Sequence, residues 1–419
     1  MKSPGQEQVT VIGLGYIGLP TATLIARSGR VVTGVDINPS VVATINSGCI
    51  HIEEVDLEDA LRGVVTRGTL RASVEAVPAD VFMIAVPTPI DAQFKPDISY
   101  VLKATKAVAP HLVPGNLLLL ESTAPVGTTE KMCEVIAAMR PDLAVPGICT
   151  GTPDIHIAYC PERVLPGRIM IELVENDRCI GGITPECAAR AQAFYTSFVT
   201  GACITTTART AEMVKLVENS YRDVNIAFAN ELSMIADGLD IDVWDVIGLA
   251  NRHPRVNILQ PGPGVGGHCI AVDPWFLVDS DPANARIIRT AREINLAKTD
   301  KVIADCASLV EADSQATVAC LGLAFKPNID DFRESPALEV ALHLARQFGE
   351  RIKLVEPYAK SLPGSFDGTG AALMDLEDAL ASCDILVLLV DHSVFKHVPR
   401  EALEGKTVYD TRGIWRAGA

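Results

Sequence analysis

Long hydrophobic runs are missing from this sequence of 419 residues. The longest, such as the ILVLLV that follows Asp384, are the length of a strand. None approaches the ~20 apolar residues that a membrane-crossing helix needs. Positive charge is also short. Against 52 Asp and Glu stand 36 Lys and Arg, a net charge of −16, which argues against nucleic acid or an anionic membrane as partner. A phosphorylated ligand stays possible, because local arginines, lysines or a helix N-terminus hold one within an acidic protein. Aromatic residues make up only 5%, so Val, Ile, Leu and Ala must fill the cores, which suits α/β architecture better than a β-sandwich. The 11 cysteines are odd in number and contain no CxxC pair, and no second ligand pair stands at zinc spacing, so neither disulfide scaffolding nor a metal site is indicated. The polar start MKSPGQEQ lacks the apolar core of a secretory leader, and a reducing cytoplasm is the expected compartment.

What is present is apolar material in short, regular pieces. At 48% hydrophobic residues and this length, two or three packed cores are expected. Segments 9–13, 31–35, 81–86 and 117–121 read as buried strands separated by amphipathic or Ala-rich stretches, the pattern of βαβ units with a parallel sheet. Segments 155–160, 178–181 and 203–206 extend that sheet. From 208 to 237 the apolar residues Val214, Val217, Tyr221, Val224, Phe228, Leu232 and Ile235 recur at spacings of three and four, which predicts one long amphipathic helix. More helix follows at 243–251 and 283–310. The βαβ pattern then returns, with strands at 318–323, 352–355, 385–390 and 407–409 and helices at 337–348 and 376–381. The expected division is therefore 1–207, 208–313 and 314–419, an α/β domain, an all-helical domain and a second α/β domain.

The stretch VTVIGLGYIGL places Gly13, Gly15 and Gly18 in GxGxxG spacing directly after a strand, with a helix opening at Tyr16 and Ile17. The first glycine permits the tight turn, the second lets the backbone approach a pyrophosphate, and the third lets helix and strand pack closely. Asp36 ends the second strand about 20 residues on, where a carboxylate accepts hydrogen bonds from the adenosine ribose. Ile37 and Asn38 offer no arginine for a 2′-phosphate, so NAD is favoured over NADP. Pro87 and Thr88, and Thr123, follow the third and fourth strands, at the strand ends where doubly wound sheets bind ligands. Ordinary turn chemistry accounts for those loops equally well.

The stretch PGPGVGGHCIAVDPW is the most unusual in the chain. Its glycines, Gly264 and Gly266 among them, free the backbone for close approach to a ligand. They present His268 and Cys269, with Asp273 four residues beyond the thiol. A cysteine on such a loop reads either as a reactive thiol or as an inert one. The remaining cysteines sit mainly in apolar or helical contexts and read as core fillers. On the long helix, Lys215 and Asn219 lie one turn apart, with Arg222 and Asn230 further along. They either polarise a substrate oxygen or form a solvated face. Glu162 and Arg163 stand at a strand end, and Arg252, His253 and Arg255 just ahead of the cysteine loop, where a phosphate or sugar substituent is one possible partner and water the other.

Taken together, VIGLGYIGLP, AVPTP, ESTAPVGTTE, AYCPERVLPG, RTAEMVKLVENSYRDVNIAFANE, GPGVGGHCIAVDP and GLAFKPNIDDFRESPA resemble the UDP-glucose/GDP-mannose dehydrogenase family over almost the whole chain. The resemblance implies an α/β fold of two Rossmann-like, doubly wound domains joined by an all-helical domain that makes a homodimer. It implies NAD on the first domain and the UDP-sugar on the last. The implied activity is four-electron oxidation of the sugar C6 alcohol to a carboxylate through a cysteine thiohemiacetal and thioester. By motif position Cys269 is the nucleophile, and Lys215 and Asn219 stabilise the oxyanions. Asp273 and Thr123 position a water, and Glu162 does acid–base work in thioester hydrolysis. Phe325, Lys326 and Arg333 match positions that reach ligands from the last domain, the first two on the substrate side and Arg333 on the cofactor side. Arg163, Arg222, Arg252, His253, Arg255, Gly264, Gly266 and His268 complete the expected substrate set. Where UDP-glucose enzymes carry GGxCxPKD, this chain has Ala271 and Val272 before Asp273. The departure favours the branch that acts on N-acylamino sugars, UDP-N-acetylmannosamine first, with UDP-N-acetylglucosamine and UDP-glucose as alternatives. A two-electron hydroxy-acid dehydrogenase and a non-catalytic nucleotide-binding protein are the rival classes.

Overall fold

The structure, a computed structural model, describes residues 7–52, 54–165, 167–267 and 269–416. It divides into two compact units, Met1–Glu218 and Asn219–Ala419.

In the first unit β1 (Gln8–Ile12), β2 (Val31–Val35), β3 (Leu70–Ser73), β4 (Val81–Ile84), β5 (Leu117–Leu120), β6 (His156–Tyr159), β7 (Arg178–Gly182) and β8 (Cys203–Thr207) form one sheet in the order 3-2-1-4-5-6-7-8. Strands β1 to β6 are parallel. β7 turns antiparallel to β6, and β8 pairs parallel with β7. The central strands are buried on both faces, which is why VFMI and LLLL read as continuous apolar runs. Their side chains alternate between two cores. Val81, Met83, Leu117 and Leu119 pack on one face, and Phe82, Ile84, Leu118 and Leu120 on the other. The strand order reverses beside β1, which creates the crevice where such sheets bind ligands. Strand β3 has no counterpart in the sequence reading: its four residues bury only two positions fully and carry no apolar run. The reversal of β7 is also new, since an apolar run carries no direction.

The long helix runs Ala208–Gly238, one residue beyond expectation. Its buried positions include Leu216, Ser220, Asp223, Ala227 and Asn230, whereas Val217, Tyr221, Phe228 and Ile235 of the apolar stripe are exposed in the single chain. In the second unit the helices Val243–Ala250 and Arg286–Ala312 fall where the periodicity puts them. The helix Asp273–Ser280 was not anticipated; it is short, begins with Asp-Pro and is buried over six residues, so it shows no amphipathic period. A second sheet follows, all parallel: β9 (Val318–Leu321), β10 (Ile352–Val355), β11 (Ala372–Leu373), β12 (Ile385–Leu388) and β13 (Thr407–Asp410), in the order 11-10-9-12-13. Val302, Cys306 and Val310 of the helix Arg286–Ala312 share a core with Val318, Cys320 and Val340, so this helix is part of the sheet's covering layer. The chain thus has two Rossmann-like sheets with a helical region between them in sequence. None of the 11 cysteines forms a disulfide.

Candidate active site

The glycine turn after β1 is built for a dinucleotide. Gly13 has φ of +91° and its N–H donates to Val35 O at 2.8 Å, tying the turn to β2. A Cβ on Gly18 would lie 1.8 Å from Gly13 O, so only glycine lets the helix Gly18–Arg27 start this close to the strand. A Cβ on Gly15 would meet nothing within 4 Å, which leaves its backbone open to a ligand. The helix has no side-chain cap and no acidic residue in its first turn, so its leading N–H groups and dipole are available to an anion. Asp36 is oriented by Leu14 N–H at 3.2 Å and Asn38 N–H at 2.9 Å. Tyr16 is exposed and Ile17 half-buried at the same mouth. These features fit NAD: a pyrophosphate against the turn and the helix, and ribose hydroxyls against Asp36.

The loops after β4 and β5 are cross-braced. Ser122 Oγ accepts from Val86 N at 2.9 Å and donates to Val86 O at 2.7 Å, and Thr88 Oγ1 donates to Thr123 O at 2.6 Å. Pro87 is exposed beside them. Behind this loop Glu212 of the long helix accepts from Gly127 N at 2.6 Å and Thr129 N at 2.8 Å, holding the start of the helix Thr128–Met139. Its carboxyl is raised by burial, against the lowering effect of those bonds.

Glu162 follows β6 and is buried, with Oε1 accepting from Arg163 N at 2.6 Å and Oε2 lying 3.1 Å from Arg178 Nη1. Arg163 pairs with Glu218 at 2.6 Å and also donates to Asp177 O. The far end of this loop hangs on Glu54, whose oxygens accept from Gly167 N at 2.8 Å and Ile169 N at 2.9 Å. Lys215, at 8% exposure, forms no ion pair among the described residues. A buried, unpaired ammonium costs stability unless a ligand compensates it.

In the second unit Cys269 is exposed, and its carbonyl accepts from Asp273 N at 2.8 Å, the turn that leads into the helix Asp273–Ser280. Asp273 is 3% exposed and its Oδ2 accepts from Asn219 Nδ2 at 2.6 Å, so two residues singled out 54 positions apart meet. The cysteine loop is anchored on several sides. Gly262 N donates to Asn230 Oδ1 at 2.9 Å, Asn230 Nδ2 to Asn295 Oδ1 at 2.9 Å, and Asn295 Nδ2 to Asp223 Oδ1 at 2.8 Å. Arg292 closes that chain on Asp223 at 2.7 Å, and Thr299 Oγ1 donates to Pro263 O at 2.9 Å. The loop glycines approach protein closely: a Cβ on Gly266 would lie 2.2 Å from Glu334 O, and one on Gly264 would lie 2.3 Å from Thr299 Oγ1. His268 lies outside the described residues.

Arg222, Arg252, His253 and Arg255 are exposed, the last linked to His253 by an N–H donated to Nδ1 at 3.3 Å. Phe325 and Lys326 are half-buried after β9, with Phe325 N donating to Asp331 O at 3.1 Å, and Arg333 pairs with Asp331. The second sheet repeats the dinucleotide geometry of the first. Gly322 N donates to Val355 O at 2.8 Å and Leu323 N to Glu356 Oε2 at 2.7 Å, as Gly13 and Leu14 do to Val35 and Asp36. Sequence reading missed Arg178, Glu54, Glu212, Asn295 and Glu356. Only Glu356, an acid directly after an apolar strand, carried a usable signal. Cys49 is exposed, contrary to its reading as a core filler, because it sits just past the end of the helix Pro39–Asn46.

Comparison with known proteins agrees with this geometry. Residues 7–199 match the NAD binding domain of the UDP-glucose/GDP-mannose dehydrogenase family, 209–297 its central domain and 319–417 its UDP binding domain. A UDP-N-acetyl-D-mannosamine dehydrogenase of Salmonella typhi is 55% identical over 97% of this chain and 99% of its own. An NDP-N-acetyl-D-galactosaminuronic acid dehydrogenase of Ralstonia nicotianae (strain ATCC BAA-1114 / GMI1000) is 54% identical over 98% and 96%. The solved UDP-D-ManNAc dehydrogenase of Pyrococcus horikoshii superposes with a TM-score of 0.85 at 38% identity, covering 98% of this chain and 96% of that one. With all three domain types matched in order, the chain belongs to the UDP-glucose/GDP-mannose dehydrogenase family and is an NAD-dependent UDP-sugar dehydrogenase.

Proposed function

We propose that the protein oxidises the C6 alcohol of UDP-N-acetyl-D-mannosamine to the carboxylate, with Cys269 as covalent nucleophile. The carrying observation is the exposed Cys269 on a turn whose buried Asp273 is bonded to Asn219. The sugar assignment is supported by the name of the Salmonella typhi relative and by Ala271-Val272 in place of Pro-Lys. The name of the Ralstonia relative favours a second reading, in which the sugar is a UDP-linked N-acetylgalactosamine-type substrate.

NAD, when bound, accepts one hydride in each of two successive oxidations. In the first, a water held by Asp273 and Thr123 takes the hydroxyl proton. The Cys269 thiolate then adds to the aldehyde carbon, which keeps its hydrogen and becomes tetrahedral with an oxyanion beside it, so that a second hydride can leave. Lys215 and Asn219 stabilise the oxyanion at that carbon. Loss of the second hydride leaves a thioester. Water adds to its carbonyl, the proton passes to Glu162, and the carbon–sulfur bond breaks to return the thiolate. Arg163, Arg222, Arg252, His253, Arg255, Gly264, Gly266, His268, Phe325 and Lys326 are assigned to the substrate, and Arg333 to the cofactor side. The exposed stripe of Val217, Tyr221, Phe228 and Ile235 supports a homodimer through the central helical region 208–313, flanked by the domains 1–207 and 314–419. Eleven cysteines without a disulfide support a cytoplasmic setting.

The test is turnover of purified protein with NAD and, separately, UDP-N-acetylmannosamine, UDP-N-acetylgalactosamine, UDP-N-acetylglucosamine and UDP-glucose. The highest kcat/KM is expected for UDP-N-acetylmannosamine. A preference for the galacto sugar selects the second reading, and a preference for UDP-glucose rejects both.

A further inference from the structure

The first unit holds a buried ionic cluster of which the reaction as described uses Glu162 alone. Arg178 of β7, 4% exposed, lies between two carboxylates. Its Nη1 is 3.1 Å from Glu162 Oε2, after β6, and 3.8 Å from Glu121 Oε1, at the end of β5. Its Nη2 donates to Leu173 O at 2.8 Å, and its guanidinium stacks over the Tyr195 ring at 5.0 Å. The Tyr195 hydroxyl donates to Glu121 Oε1 at 2.9 Å. Cys160 Sγ lies 4.0 Å from Nη1, Cys203 of β8 feels the same charge, and Thr21 of the helix Gly18–Arg27 faces Glu121. Among the described residues, Glu121 Oε2 and Arg178 Nε are buried without a hydrogen-bond partner.

One cation thus serves two acids. A single guanidinium neutralises one of them, and the other carries either uncompensated charge or a proton. The two are not equivalent. The Glu121 side chain is 0% exposed, and burial pushes its carboxyl up to about 7 despite Arg178. Glu162 has the shorter contact and lines a narrow crevice with Pro161, Arg163 and Asn176.

We propose that Arg178 is a positioning residue for the hydrolytic half of the reaction: braced by Tyr195 and Leu173, it holds Glu162 Oε2 in place, while Glu121 competes for the same guanidinium. This rests on the reading of Glu162 as the group that accepts the proton of the hydrolytic water. Glu121 is 0% exposed, out of reach of a substrate. Removing Arg178 frees the Glu162 carboxyl to turn away from the position in which it receives the proton.

Wild type, Arg178→Gln, Arg178→Lys and Glu162→Gln are compared in single turnovers with NAD and UDP-N-acetylmannosamine. The first oxidation is read as rapid NADH formation, and hydrolysis as decay of the Cys269 acyl adduct by quenching and mass spectrometry. Expected for Arg178→Gln is an unchanged first step and adduct decay slowed about 10-fold or more. Arg178→Lys, which keeps a cation beside Glu162, recovers part of the decay rate, a repair that a packing defect does not show. Wild-type decay in Arg178→Gln, or decay in Arg178→Lys as slow as in Arg178→Gln, overturns the proposal. If Arg178→Gln does not fold, Arg178→Lys decides: its single donor group holds Glu162 less firmly, so decay slows with the first step unchanged, and wild-type decay or equal loss of both steps overturns the proposal. Slow decay in Glu162→Gln alone rejects the part given to Arg178 and keeps that of Glu162. Normal decay in Glu162→Gln rejects both.

Discussion

Asn219 Nδ2 donates to Asp273 Oδ2 across 2.6 Å, joining the long helix to the first residue of the helix that follows Cys269. The bond fixes a buried carboxylate one turn beyond Cys269. Asn219→Ala removes a charge-assisted donor from a group 3% exposed, a loss of about 1.5–3 kcal/mol. If that bond is made in the transition state, kcat/KM falls about 10-fold or more. Steady-state kinetics with NAD affinity as control checks this. Unchanged kcat/KM removes Asn219 from the machinery.

Lys215 is buried without an ion pair among the described residues, an arrangement that a developing oxyanion relieves. Lys215→Ala is expected to lower kcat by about 100-fold or more while NAD affinity holds. Equal loss of both, measured by turnover and by NAD titration, indicates a packing role instead.

Cofactor binding is expected to depend on Asp36 and the glycine turn. Asp36→Ala removes the carboxylate that Leu14 and Asn38 orient, and NAD affinity is expected to drop about 10-fold. Gly18→Ala puts a Cβ 1.8 Å from Gly13 O, so the turn must move and NAD binding is expected to be lost, with about 1–3 kcal/mol of stability. Calorimetric NAD titration and urea denaturation test both, and a Gly18→Ala protein with normal affinity contradicts the assignment.

Glu121 gives a pH dependence of stability with a defined sign. Burial raises its folded pKa from 4.5 to about 7. Below about pH 4.5 both folded and unfolded chains hold the proton. Between there and about pH 7 only the unfolded chain releases it, so stability falls as pH rises and levels off above. The full effect is of the order of 3 kcal/mol. Glu121→Gln is therefore expected to gain stability relative to wild type on going from about pH 5 to about pH 8. A constant difference across that range, by urea denaturation, refutes the raised pKa.

Much of this was legible in the sequence because the residues concerned obey local rules. The LLLL of β5 is apolar because it is buried on both faces, and Asp36 stands out because a strand end and a fixed spacing mark it. Lys215 and Asn219 stand out because helical spacing puts them on one face. The illegible parts are contacts that only folding creates. Arg178 reads as one charge in RCIGG, and nothing local shows that β7 reverses and carries it between Glu121 and Glu162. Asn295 lies in a polar stretch of a long helix and gains meaning only through Asn230 and the loop at Gly262. The loop glycines were read as making room for a ligand, yet Gly266 chiefly makes room for Glu334 O. The apolar stripe of the long helix was read correctly as a stripe, but a single chain leaves Tyr221 69% exposed, so its burial needs a partner.

The most direct test of the central claim is the yield of NADH per UDP-N-acetylmannosamine consumed, for wild type and for Cys269→Ala. Covalent four-electron oxidation requires two NADH per sugar from wild type, and no carboxylate from the variant. One NADH per sugar from wild type, or full carboxylate yield without the Cys269 thiol, contradicts it.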